Sequence, residues 1–235
     1  MERLDKIVAA GTGGSRKESR GMILRGRVSV NGRVSGDIAL KVDPYVDEIT
    51  VDEKNIAYKK YVYIMINKPQ GVLSASNDKS RETVVDLVRL EFNREGLFPV
   101  GRLDKDTTGL MIITDDGDFG HKVISPKSGI EKEYLARLDK PITDHDIKML
   151  ENGVTLADGT SCRPARVKVV NDDGTVISMT ITEGKYHEIK RMLGVVGIGV
   201  EKLERIRIGN LCIDDKLDEG QYRELTPAEL TLVLK

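Results

Sequence analysis

The stretch Pro99-Val100-Gly101-Arg102-Leu103-Asp104-Lys105-Asp106-Thr107-Thr108-Gly109-Leu110 constrains this chain more than any other. Apolar residues lead into it at 97–100 and out of it at 110–113, so a polar, glycine-bounded loop joins two candidate buried strands. Loops held in that way by rigid elements commonly carry chemistry. One residue separates Arg102 from Asp104, so on an extended backbone both point to one side while Leu103 anchors the other. The same spacing also fits a surface turn with an ion pair.

The rest of the chain reads as strands and helices in alternation. Residues 61–67 form a largely apolar strand that Lys68-Pro69-Gln70-Gly71 breaks, and 83–90 suits a helix with Val84, Leu87 and Val88 inward. After the loop come a strand at 110–114, the turn 115–118 and a short helix at 119–124. A strand at 130–138 contains Lys132 and Tyr134, and 144–150 reads as a helix. Strands at 167–170 and 176–181 flank the turn Asn171-Asp172-Asp173-Gly174. A basic amphipathic helix follows at 186–196, then a strand at 200–208, and Thr226-Pro227 opens a last helix. Strands joined by hairpin turns with helices interspersed predict an α+β fold with a mostly antiparallel sheet.

Charge is informative only locally. The chain of 235 residues has a formal net charge of −1, which predicts no general attraction to nucleic acid. Residues 1–33, however, hold eight Lys/Arg against three acids. Leu4, Ile7 and Val8 mark a short amphipathic helix ending before Gly11, and Ser15 caps a second at 16–25. Val28-Ser29-Val30 then runs into the tight-turn pair Asn31-Gly32. The polar stretch 53–60 is expected to be a linker, giving domains at 1–58 and 59–235. Two distant cysteines and three histidines argue against a zinc site or a disulfide framework and fit a reducing cytosol. The charged start and the lack of a long apolar run argue against a signal peptide or a membrane span.

The segments RLDKIVAA, SRKES and GRVSVNG, within residues 2–52, resemble the S4 RNA-binding domain. That resemblance implies phosphate contacts from Arg16, Lys17 and Arg20, with Arg3 and Lys6 beside them. GRLDKDTTGLMIITDDGDFGHKVISP (101–126), EKEYLARL (131–138) and EGKYHEIKRMLGVVGIGVEKLERIRIG (183–209) resemble, in that order, the RsuA family of pseudouridine synthases. The resemblance implies that uridine in ribosomal RNA is isomerised to pseudouridine. It implies a small N-terminal S4-like domain followed by a catalytic domain with a mostly antiparallel mixed sheet flanked by helices.

For the site it implies Asp104 as the essential carboxylate, either attacking C1′ or removing a sugar proton, with Lys190 as its cation. Arg102 would fill the place of the flipped base, Tyr134 would stack on the uracil, and Lys132 would meet phosphate. Leu203 would floor the pocket beside Arg205, and Lys185, His187 and Arg191 would bind RNA. Taken alone, a strand tyrosine such as Tyr134 or a leucine such as Leu203 would be plain core. Thr107, Thr108 and Gly109 are expected to shape the loop, and His121 and His187 to be structural or to contact phosphate. Tyr186-His187 resembles the small-subunit (16S) branch, whereas large-subunit relatives tend to carry Arg-Asn-Arg at 185–187. Glu188 departs from the glutamine usual there, which bears on a local hydrogen bond. No cofactor or metal is implied. The implied partner is ribosomal RNA within a small-subunit assembly intermediate, met in the cytoplasm by a monomer with no membrane contact.

Other readings stay open on sequence alone. Asp104-Lys105-Asp106-Thr107-Thr108 also fits the Asp-x-Asp-x-Thr signature of aspartate-nucleophile phosphatases. Asp115-Asp116 then follows too soon to supply their metal ligands. A synthase for a large-subunit uridine and a non-catalytic RNA-binding assembly factor are the alternatives.

Overall fold

The computed structural model describes residues 1–44, 46–56 and 58–235. By contacts the chain divides into two compact units, Met1–Val62 with Val88–Leu97, and Tyr63–Leu87 with Phe98–Lys235. The boundary expected between 58 and 59 falls a little before this division.

In the first unit, α1 (Leu4–Thr12) and α2 (Arg16–Leu24) pack beside a small antiparallel sheet. That sheet is built from β1 (Val28–Val30), β2 (Arg33–Val34), β3 (Ile49–Val51) and β4 (Lys54–Asn55). Leu4, Ile7, Val8, Ile23, Val28 and Ile49 form its core. Ser15 and Glu18 close a reciprocal capping box on α2, as the Ser15 cap predicts. The turn Asn31-Gly32 has φ of 51° and 75°, the paired left-handed conformation of a tight hairpin. Two expectations are corrected. Helix α1 does not stop before Gly11: a side chain there would strike Ile56 at 2.9 Å, so this glycine serves close packing. Gly13, at φ 68°, is the residue that ends the helix. The stretch 53–60 is not wholly linker, because β4 pairs with β3; Ala57 of that stretch lies outside the described residues.

The second unit is organised on one mixed sheet. Its main strands in chain order are β5 (Tyr63–Lys68), β6 (Thr108–Thr114), β7 (Lys132–Leu138), β8 (Arg166–Val169), β9 (Val176–Ile181), β10 (Val200–Ile208) and β11 (Tyr222–Glu224), with the short strands Phe98–Pro99 and Leu211–Cys212 added on β6 and β10. In space they run β8-β9-β7-β10-β6-β5-β11, and all these pairings are antiparallel except β6 with β10. The expected mostly antiparallel α+β architecture is therefore the observed one. Helices α3 (Val84–Val88), α4 (Gly117–Ile124), α5 (Asp144–Glu151), α6 (Glu188–Val195) and α7 (Pro227–Val233) complete the fold. Met65, Leu110, Ile112, Phe119, Val123 and Ile208 form a core cluster against the sheet. Among the described residues no helix is long and apolar enough to cross a membrane.

The junction of β6 and β10 is unusually close. Gly109 has φ 98°, and a Cβ there would lie 2.4 Å from the Arg205 carbonyl oxygen, so only glycine lets the two backbones meet. Beside it the register between β7 and β10 shifts: Glu133 faces Arg207 and Tyr134 faces Arg205, skipping Ile206. This bulge breaks strict alternation along β10. The helix expected at 186–196 begins only at Glu188, because Lys185 N–H is taken by the Glu188 side chain and His187 adopts a left-handed conformation.

Candidate active site

Leu103 is buried, and Ser74 clamps it by donating to its carbonyl at 2.8 Å and accepting from its N–H at 3.0 Å. Its neighbours Arg102 and Asp104 both line the cavity that opens there. From below, Lys68 at the end of β5 is wholly buried. Its ammonium donates to the carbonyls of Thr107 (2.9 Å), Pro69 (3.0 Å) and Lys105 (3.4 Å). Burial pulls its pKa down to about 8, against the opposing pull of Asp106 and Asp104. From sequence, Lys68 reads only as part of a turn. A lysine closing an apolar strand was the available signal for something more.

Helix α6 brings the cation. Lys190 Nζ lies 3.4 Å from Asp104 Oδ2 and 2.6 Å from Asp106 Oδ1. His187, at φ 49°, sets its Nε2 3.3 Å from Asp104 Oδ1. A non-glycine residue in this region of backbone space is strained, and such strain gathers at functional sites. Arg191 turns aside to Asp158 at 2.5 Å, as its quarter-turn offset from Lys190 requires. The side chain of Asp104 keeps 24% of its surface exposed, so the carboxylate stands at the mouth of the cavity and is not sealed in a dry interior.

The cavity is completed by Tyr134 from β7, Leu203 from β10, Lys185 and Thr107. It adjoins a groove of about 790 Å³ whose walls include Lys132, Arg205 and Tyr186. Lys132 is buried, and burial together with the Arg205 cation pulls its pKa down to about 8, with Glu188 opposing. Arg205 is also buried; its Nε donates to the Leu110 carbonyl at 2.8 Å, so it ties β10 to β6. Lys185 is drawn inward to Glu183 at 2.5 Å and the Ser161 carbonyl at 2.8 Å. Tyr186 is exposed and stacks on His187 with ring centroids 3.8 Å apart. Thr107, read from sequence as shaping the loop, has a buried hydroxyl with no hydrogen-bond partner among the described residues.

Asp104, Arg102, Tyr134, Lys190, His187, Leu203 and Lys185 thus meet at one cavity. Cys162, Glu183 and Glu188 bring ligand-type atoms within 4.8 Å of one another. Glu183 already takes the Lys185 ammonium and the Arg163 N–H, so the protein's own donors occupy that group.

In the N-terminal unit, Arg3, Arg16 and Arg20 converge on the buried Asp5 at 2.9–3.1 Å, each keeping 36–49% of its side chain exposed. Burial would raise the Asp5 carboxyl, but the guanidiniums of Arg3, Arg20 and Arg16 hold it at about 2. Lys6 pairs with Glu2 at 3.0 Å, and Lys17 is exposed.

The pattern described as RNA pseudouridylate synthase matches residues 62–194, and that of the S4 domain matches residues 2–44. An uncharacterized RNA pseudouridine synthase of Bacillus subtilis (strain 168) is 44% identical over 98% of both chains. The ribosomal small subunit pseudouridine synthase A of Escherichia coli (strain K12) is 37% identical over 99% of this chain and 100% of its own. A crystal structure of a pseudouridylate synthase superposes with a TM-score of 0.69 at 32% identity, covering 99% of this chain and 100% of that one. The chain belongs to the RNA pseudouridylate synthase family and carries an S4 domain at its N-terminus. The resemblance seen in its motifs is thereby confirmed.

Proposed function

We propose that this enzyme isomerises a uridine of small-subunit (16S) ribosomal RNA to pseudouridine, with Asp104 as the reacting carboxylate. The observation that carries the reading is the meeting of Asp104, Lys190 and Tyr134 at one cavity. The small-subunit assignment draws on the E. coli relative, whose name specifies that subunit. The reaction breaks N1–C1′, turns the freed base and joins C5 to C1′, so uracil must be held while it is detached. Tyr134 offers a ring face for that, with Leu203 as the apolar floor, and the unpartnered Thr107 hydroxyl is a ready donor to a uracil carbonyl. Asp104 acts on C1′ or on a sugar proton, and Lys190 with His187 keeps its carboxylate aimed. Arg102 is placed beside Asp104 to occupy the gap left in the RNA stack. Lys132 and Arg205 make the groove wall cationic toward phosphate. The N-terminal cations grip the RNA backbone, with Asp5 holding Arg3, Arg16 and Arg20 in a fixed fan. On this reading the chain works as a monomer in the cytosol on a partly assembled small subunit.

Asp104→Asn preserves shape and removes the reacting charge. Pseudouridine formation is expected to vanish while RNA binding persists; turnover by this variant would refute the role. Mapping pseudouridines in both ribosomal RNAs, from cells with and without the protein, identifies the target. A site lost from the large-subunit RNA would overturn the 16S assignment.

A further inference from the structure

Glu188 opens α6 with 4% of its surface exposed. Its Oε2 accepts the Lys185 N–H at 2.8 Å, while the buried Oε1 has no hydrogen-bond partner among the described residues if the group is a carboxylate. An acceptor oxygen left bare in the interior is costly. Beside it lies Glu183, also buried, with a carboxylate oxygen within 4.8 Å of one on Glu188; Glu183 takes the Arg163 N–H at 2.7 Å and the Lys185 ammonium at 2.5 Å. Two carboxyl groups this close and away from water cannot both ionise cheaply. Glu183 has the donors, so it is the anion. A proton on Glu188 Oε1 turns the bare acceptor into a donor to Glu183 and removes the anomaly.

We infer that Glu188 is a positioning residue that carries a proton and donates it in a hydrogen bond to Glu183, locking the turn 184–187 so that His187 and Lys190 reach Asp104. The inference rests on the reading of Asp104 as the reacting group. Burial first, then the bond to Glu183, pushes Glu188 up to about 7, while Lys185 pulls the other way. The other titratable groups acting on it are Lys132 from β7 and the Cys162 thiol, itself pushed up by burial. Loss of the proton sets a second negative charge against Glu183. Repulsion then loosens the turn that carries His187 and the first residues of α6. Catalysis therefore weakens as pH rises through neutrality.

The sign for stability is the same. Glu188 keeps its proton in the folded chain up to about 7 but loses it near 4.5 when unfolded, so stability falls across that window as pH rises.

The test compares the parent chain with Glu188→Gln and Glu188→Ala on ribosomal RNA from cells lacking the protein. The parent should lose kcat with a midpoint near 7, with KM little changed. Glutamine, whose amide donates at every pH, should rescue turnover and abolish the decline, whereas alanine should be slow throughout. Independently of turnover, the side-chain carboxyl 13C signal missing from Glu188→Gln should titrate near neutrality in the parent. A signal titrating in the ordinary carboxylate range overturns the inference, as does an alkaline decline that persists in Glu188→Gln. So does uptake of zinc by the parent chain that Glu188→Gln abolishes. If Asp104→Asn remained active, the reading of the reacting group would fall, while the 13C titration would still decide the state of Glu188.

Discussion

Lys68 is a buried cation set directly beneath the loop that carries Asp104. An ammonium ion stripped of water is unfavourable unless donors meet acceptors, and the carbonyls of Pro69, Lys105 and Thr107 supply them. Two of those carbonyls, of Lys105 and Thr107, lie just after Asp104 in its loop, so the lysine fixes where that loop runs. Lys68→Met keeps the volume and removes the donors. We expect a loss of about 2 kcal/mol in stability, read as a lower Tm, and a larger fall in kcat than in RNA affinity. An unchanged kcat would show that the loop holds its course without the lysine. Spacing within Arg102-Leu103-Asp104 was legible because a buried leucine between two polar residues has one way to face. The role of Lys68 was not, since nothing adjacent in sequence shows which carbonyls it meets.

At the scale of elements, the parallel pairing of β6 and β10 gathers the site. Gly109 permits it by its positive φ and by lacking a side chain against the Arg205 backbone. Gly109→Ala should cost about 2–4 kcal/mol and misplace Leu203 relative to Asp104, lowering both Tm and turnover. A variant of parental Tm would mean that the strands can separate without penalty. The bulge at Ile206 is the other device. Strict alternation would put Arg205 and Arg207 on one face, yet Arg205 is buried along the groove while Arg207 bonds Glu133 and Glu131. Glu133 alternates with Lys132 and Tyr134 along β7. Sequence periodicity has no term for an extra residue, so only the paired strands reveal the change of face.

For the whole molecule, each compact unit has its own core and its own cations. With a bulk charge near zero, the proposed RNA binding has to rest on local groups, and residues 1–33 hold eight Lys/Arg against three acids. Replacing Arg16 and Lys17 with glutamine should weaken RNA binding and flatten its salt dependence by roughly 0.7 for each phosphate left without its cation. Binding titrations at several salt concentrations measure that slope. An unaltered slope would remove these residues from the RNA footprint. Because Arg16 also pairs with Asp5, the Tm of the variant should be checked alongside.

Most elements of the second unit, the α+β class, the Ser15 cap, the Asn31-Gly32 hairpin and the loop bearing Asp104 were written in local sequence, whereas the short strands at 49–51, 54–55 and 222–224 were not. Capping, turn formation and amphipathic spacing act between residues a few positions apart, and so they can be read without a fold. What the sequence left undecided depends on residues far apart in the chain meeting in space. Lys68 beneath the loop, Gly11 against Ile56, the late start of α6 and the proton between Glu183 and Glu188 follow from burial and pairing. Those exist only once the sheet is assembled, because desolvation and like-charge repulsion become strong only where water has been excluded.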